Sequence, residues 1–129
     1  MYEFNTEIDL PFDQAAEKVR LLLLEQHLSI VSDIDVQAIF KSKLDKTIPP
    51  YHIFGACNPK LAERVLTSEP NAGTLLPCNF VLRENESGRV TLSFMDPKTV
   101  LQHCTTDEPK KVASEAKQML QRVVIKLTA

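Results

Sequence analysis

The spacing of apolar residues along this chain switches repeatedly between the period of a strand and the period of a helix. Residues 2–8 alternate inward and outward positions, which is typical of a half-buried strand. From Phe12 onward the apolar residues recur every three or four positions, which is typical of a helix with one buried face. The later switches predict the order β-α-β-α-β-α-β-β-α. We therefore predict an α+β fold, a two-layer α/β sandwich in which one mixed sheet of about five strands carries helices on one face.

Local signals place several element ends. Asp35 is expected to cap a short second helix, and Asn58-Pro59 is a favourable helix start because Asn caps well and Pro fits the first turn. The first helix ends near His27 without a glycine, so His27 is expected to adopt a left-handed backbone there. Strands are predicted at residues 28–34, 51–56, 76–83 and 89–95.

Length and composition indicate one globular domain over residues 1–129. A chain of 129 residues with 43% hydrophobic and 25% charged residues has ordinary globular composition, which excludes a disordered tail or a collagen-like chain. The formal net charge of −2 argues against a nucleic-acid partner, because phosphate binding needs a basic surface.

The cysteines and the termini indicate the compartment. Three cysteines without a CxxC pair are expected to be reduced thiols, since secreted scaffolds use dense, paired cysteines. No signal peptide is visible, and no stretch approaches the ~20 apolar residues of a membrane span. We therefore expect a cytoplasmic protein without a membrane partner.

Charge is distributed unevenly along the chain. Residues 1–35 hold eight acidic and two basic side chains, whereas the segment from Lys98 onward holds six basic and three acidic ones. Solvated helix faces explain most such patterns. The alternative is that the two patches meet across a dimer interface, and we expect a homodimer.

Standard catalytic signatures such as a P-loop, G-x-S-x-G or H-E-x-x-H do not occur in the sequence. Instead, short motifs recur at predicted strand ends, namely Ile53-Phe54-Gly55-Ala56-Cys57-Asn58-Pro59, Leu75-Leu76-Pro77-Cys78-Asn79 and Phe94-Met95-Asp96-Pro97.

These three ordered motifs resemble the bacterial and archaeal family called domain of unknown function 302. The resemblance covers nearly the whole chain, including the opening strand-helix-strand and the last helix. The chain departs from it at His27, where the family is expected to have glycine. The resemblance implies a small two-layer α/β domain and implies no established activity, substrate or catalytic residue.

Cys57 precedes a helix N-terminus, where backbone N–H groups favour a thiolate and bind anions. Gly55 would allow a ligand to approach the backbone closely. The alternative for Cys57 is a small buried thiol that fills space at a tight turn. Cys78 is expected to face the core, whereas Asn79 and Arg83 lie on the opposite strand face, where they contact a ligand or are simply solvated.

The connection after the third helix decides whether Cys57 and Cys78 meet. A direct βαβ crossover makes the two strands parallel and puts the thiols at opposite ends of the sheet. Alternatively, the loop at 69–75 runs back and starts the next strand beside Cys57, since an extended residue spans roughly 3.3 Å. Asp96 would then lie near both thiols if the following hairpin returns to the same end of the sheet.

The candidate ligand-binding residues are Gly55, Cys57, Asn58, Cys78, Asn79 and Asp96. No catalytic residue, metal ligand or cofactor is assigned, because the histidines and cysteines lack the short paired spacing of metal sites. The preferred hypothesis is a non-enzymatic module that binds a small anionic, sulfur-containing or metal ligand. The alternatives are a homodimeric interaction module with structural cysteines, and a thiol-dependent enzyme in which Cys57 is the nucleophile and His52 the nearby base.

Overall fold

The computed structural model describes residues 1–128 and contains five strands and five α-helices. The strands are β1 (Glu3–Ile8), β2 (Ser29–Asp35), β3 (Tyr51–Cys57), β4 (Cys78–Glu84) and β5 (Val90–Met95). The helices are α1 (Phe12–Glu25), α2 (Val36–Leu44), α3 (Pro59–Ser68), α4 (Pro97–Leu101) and α5 (Glu108–Thr128), and a 3-10 helix spans Pro70–Leu75. The predicted α+β class is confirmed, while α4 and the 3-10 helix are additions that the periodicity did not reveal.

The strands form one open sheet in the order β1-β5-β4-β3-β2. All four neighbouring pairs in this order are antiparallel, whereas the sequence analysis expected a mixed sheet. The difference arises after α3. The 3-10 helix leads the chain back to the sheet, and β4 begins beside the last residues of β3. A direct crossover would instead have begun β4 at the far end.

A row of aromatic rings crosses the helix-facing side of the sheet. Phe4, Phe94, Phe80 and Phe54 follow one another across β1, β5, β4 and β3 with ring centroids 5.0–5.7 Å apart. The rings lie at the distances at which aromatic pairs attract each other. Buried side chains of α1 and α5 cover this row, among them Ala15, Val19, Leu23, Leu120 and Val123.

A second apolar cluster lies beyond the end of the sheet. It joins α3, the 3-10 helix, α4 and the first half of α5, through side chains that include Leu61, Val65, Ala72, Leu101 and Val112. Helix α5 therefore packs against this cluster with its first half and against the sheet with its second half.

The local chemistry of three element ends matches the predictions. The Asp35 side chain accepts a hydrogen bond from the Ala38 N–H at 2.9 Å and caps α2. Asn58 accepts from the Leu61 N–H at 3.1 Å and caps α3. His27 has a φ of 60°, in the left-handed region. These three predictions are confirmed.

Part of the uneven charge is neutralised within the chain. The Lys126 ammonium group pairs with Glu25, which joins the basic last helix to the acidic first helix. The Arg89 guanidinium lies 3.2 Å from the Glu7 carboxylate. Complementary charges of the two chain halves thus meet inside one molecule.

Gly55 lies in β3 where no side chain fits. A Cβ at this position would lie 2.4 Å from both Pro77 Cγ and Ser32 Oγ, closer than unbonded atoms approach one another. We expect Gly55→Ala to lower the free energy of unfolding by about 1–3 kcal/mol, because overpacking forces the neighbouring strands apart. Urea denaturation measures this loss.

Gly73→Ala is the matched control for that substitution. Its added Cβ would lie 3.5 Å from Leu66 Cδ2, which is an ordinary contact. We expect its free energy of unfolding to stay within about 0.5 kcal/mol of the parent value. Equal stabilities of the two variants would contradict the close packing of Pro77 on Gly55.

Candidate functional site

An apolar cavity of about 310 Å³ lies where the ends of β3 and β4 meet α3 and the 3-10 helix. The walls come from both hydrophobic clusters, with Leu28 and Ala56 from the first and Leu61 and Val65 from the second. The cavity therefore occupies the junction between the sheet layer and the second cluster. Its other lining residues include Val31, Asn58, Ala62, Leu66, Leu76 and Pro77.

Cys57 and Cys78 both line this cavity. Cys78 is the register partner of Ala56 in the antiparallel β3–β4 pair, so it lies next to the strand end that carries Cys57. The sequence left open whether the two thiols meet or lie at opposite ends of the sheet. The observed connection is the one that runs back, so a parallel crossover is excluded and the two thiols are neighbours.

Burial keeps the Cys78 thiol protonated. Desolvation is the main cause that raises its pKa to about 11, and the neighbouring Cys57 adds to the effect. A thiol with such a pKa is neutral near pH 7 and is a weak nucleophile, since the thiolate is the reactive form. The third cysteine, Cys104, is buried in the second cluster, and its pKa is also raised by burial.

Two predicted site residues have structural contacts of their own. The space over the Gly55 backbone is filled by Pro77 and Ser32, so the close approach that the sequence indicated is made by the protein itself. Asn58 lines the cavity, but its side-chain oxygen accepts from Leu61 N–H and is engaged in capping α3.

Asn79 and Asp96 do not line the cavity. Asn79 is exposed and pairs in register with Gly55, on the sheet face opposite to Cys78. Asp96 caps α4 through the Lys98 N–H at 2.9 Å and pairs with the Lys117 ammonium group at 2.8 Å. Burial opposes its ionisation, but the hydrogen bonds from Lys117 and Lys98 outweigh it and keep the pKa of Asp96 below its usual value.

The described residues that line the cavity beside the two thiols include no histidine and no carboxylate. Within residues 1–128 there is no group of three or more His, Cys, Asp and Glu side chains arranged to hold a metal ion. His52 lies five residues before Cys57 in β3, about 16 Å away at ~3.3 Å per residue. Its Nδ1 is 2.6 Å from an Asp33 oxygen, so this histidine is not placed to act as a base for Cys57.

The sequence analysis missed the apolar walls of the cavity. Leu66 belongs to an ordinary amphipathic helix outside the three motifs, and Leu76 stands in the second motif but was not among the candidate residues. No signal in the sequence separates Leu66 from the other aliphatic residues of α3, because its 39% exposure is visible only in the structure.

The family model described as "Domain of unknown function DUF302" matches residues 4–127, nearly the whole chain. The chain belongs to the DUF302 family. The resemblance that the three motifs indicated is thereby confirmed.

A crystal structure of an uncharacterised conserved DUF302 protein from Bacillus stearothermophilus has the same fold. The two structures align with a TM-score of 0.89 at 19% sequence identity, over 98% of each chain. No curated protein matches the chain. Among the helices of residues 1–128, none has the length and apolar character needed to cross a bilayer.

The raised pKa of Cys78 predicts slow alkylation. At pH 8 about one Cys78 in a thousand is a thiolate, against roughly a quarter of free thiols. We therefore expect iodoacetamide to modify Cys78 at least ~100-fold more slowly in the folded protein than in the urea-unfolded protein. Peptide mass spectrometry over time measures both rates.

Cys57→Ser is the informative variant for this measurement, because the neighbouring thiol contributes to the raised pKa. We expect Cys78 to react somewhat faster in that variant. Equal rates for Cys78 in the folded and unfolded protein would show that the side chain is neither buried nor held neutral.

Proposed function

We propose that this DUF302 domain binds a small, mainly apolar molecule in the cavity beside Cys57 and Cys78. The observation that carries the proposal is the cavity itself, whose lining comes almost wholly from Leu, Val, Ala and Pro side chains and the two cysteines. Small-molecule sites are typically concave and apolar, with few polar groups that set the orientation of the ligand. Here the two thiols and Asn58 are the polar groups at the wall.

The volume supports a compact ligand. A cavity of about 310 Å³ is roughly twice as large as a ~150 Å³ apolar cavity that takes one benzene molecule. It therefore suits a bicyclic ring system or a chain of about eight carbons, at the lower end of the ~300–1,000 Å³ range of ligand pockets.

The lining argues against an anion or a metal as the ligand. No Lys or Arg is among the lining residues, so a buried anion would lose its hydration without gaining a cation. At the start of α3, Pro59 has no N–H and the Leu61 N–H is already bonded to Asn58. Of the ligand classes that the sequence suggested, an apolar sulfur-containing molecule fits best.

The protonation state of Cys78 supports reversible binding. A neutral, half-buried thiol packs against apolar groups and makes favourable contacts with aromatic ligands, but it attacks electrophiles slowly. Together with the distance of His52 from Cys57, this favours a binding module over a thiol-dependent enzyme.

Filling the cavity should abolish binding. Ala62 is half-buried and lines the cavity, so we expect Ala62→Phe to occupy the space that the ligand needs. With indole and 1-octanol as probes, ¹H–¹⁵N NMR should show shifts at Cys57 and Leu66 in the parent protein and none in this variant.

Glu63→Phe is the matched control, because it adds the same ring to an exposed position of the same helix. Its probe-induced shifts should equal those of the parent. Native mass spectrometry of the purified protein then identifies any retained ligand. Absence of shifts in the parent protein, or identical shifts in both phenylalanine variants, would contradict the proposal.

A second candidate function is homodimerisation through β2. This strand lies at the edge of the sheet and offers unpaired N–H and C=O groups to another strand. Its Val31 and Ile34 side chains are 60% and 46% exposed, which is unusual for large aliphatic residues on a strand. Pairing of β2 with β2 of a second copy would cover both.

A charge on β2 should prevent such pairing. We expect Ile34→Lys to convert the dimer to a monomer in sedimentation velocity, because lysine on an edge strand disfavours strand addition. Ile125→Lys, at a 64% exposed position of α5, is the control and should leave the dimer intact. A parent protein that sediments as a monomer at all concentrations would rule out this candidate.

A further inference from the structure

The sheet face opposite to the helices forms a trough of about 500 Å³. The antiparallel register explains its shape, because β5 contributes the short side chains Thr91 and Ser93 while β1 on one side contributes Glu3 and Glu7. On the other side, β4 contributes Arg83. The short residues form a floor lined with hydroxyl groups, between a polar wall on the β1 side and a wall of Val81 and Arg83 on the β4 side. This trough lies on the other side of the sheet from the helices.

Three charged side chains of the trough, those of Arg83, Glu3 and Glu86, lack an ionic partner among residues 1–128. Within residues 1–128, the Arg83 guanidinium makes no ion pair and no side-chain hydrogen bond, and the Glu3 carboxylate is held by neutral donors only. These donors are Asn5 at 3.0 and 3.1 Å and Ser93 at 2.7 Å, and they keep the pKa of Glu3 below its usual value. Glu7, in contrast, is already paired with Arg89.

The Arg83 guanidinium and the Glu3 carboxylate lie at opposite ends of the trough. Arg83 on β4 is the register partner of Thr91 on β5, and Thr91 is the register partner of Glu7 on β1. Glu3 on β1 is the register partner of Met95, at the other end of β5. The four residue steps from Glu3 to Glu7 span about 14 Å at ~3.4 Å per step. An unpaired cation and an unpaired anion therefore face the same groove, separated along its length.

We propose that the trough binds a linear zwitterion, such as a peptide of about four residues with free termini. The terminal carboxylate pairs with Arg83, whose planar guanidinium matches it with two parallel hydrogen bonds. The terminal ammonium group donates to Glu3. An extended tetrapeptide spans about 13 Å, close to the separation of the two levels. The hydroxyl groups of Thr91 and Ser93 then face the amides of the peptide.

Other occupants fit the charges less well. A simple anion would face Glu3, Glu7 and Glu86 along the trough, and a simple cation would face Arg83. A ligand that carries one negative and one positive charge pairs with both Arg83 and Glu3.

Titration with alanine oligomers of two to six residues tests this proposal. Isothermal calorimetry should give the tightest binding near four residues, and ¹H–¹⁵N NMR should place the shifts at Thr91 and Ser93. Acetylation of the N-terminus or amidation of the C-terminus should each weaken binding about 10-fold or more, because each removes one charge-assisted contact. Arg83→Met and Glu3→Gln should weaken binding by the same factor.

Arg122→Met and Glu63→Gln, which change charge elsewhere on the surface, should keep the parent affinity. Ala62→Phe should also keep it, which separates this site from the apolar cavity. Equal affinity for free and doubly capped tetra-alanine would overturn the proposal, as would absence of shifts at Thr91 and Ser93 at millimolar peptide. Shifts at these residues on dilution of the protein alone would assign the trough to a second copy instead.

Discussion

Ring-on-ring packing across the helix-facing side of the sheet fixes the strand register on which both candidate sites depend. The four phenylalanine rings contact one another from β1 to β3, and helices α1 and α5 cover them. Because side chains alternate between faces, a slip of one residue would turn a ring outward and a charge inward. The same register that buries Phe80 therefore places Asn79 and Arg83 on the opposite face of the sheet and brings Cys78 beside Ala56.

The sequence was informative wherever a structural outcome is decided by neighbouring residues. Caps at Asp35 and Asn58 and the left-handed His27 depend on interactions within a few positions, and each was predicted correctly. The direction of β4 depends instead on how the segment Pro70–Leu75 folds onto α3. That choice is made by tertiary packing, so apolar spacing alone could not decide between a parallel and an antiparallel neighbour for β3.

The candidate site also combines features that neighbouring residues decide with features that only tertiary packing decides. The motifs drew attention to Gly55, Asn58 and Asp96, whose observed contacts are close strand packing, a helix cap and an ion pair with Lys117. The walls of the cavity are aliphatic side chains that any amphipathic helix carries, and only their three-dimensional arrangement makes a concave surface. Of the predicted site residues, Cys57, Asn58 and Cys78 line the cavity.

The two hydrophobic clusters divide this small domain into two units that can unfold separately. Helix α5 runs through both, and Met119 packs against each, whereas α3 and the 3-10 helix belong to the second cluster alone. Regions with their own buried contacts open as separate units with separate free energies. Local unfolding of α3 would expose the cavity while the sheet stays intact, so amide hydrogens of α3 would exchange with solvent sooner than those of β4. A ligand held at that junction would couple the two units.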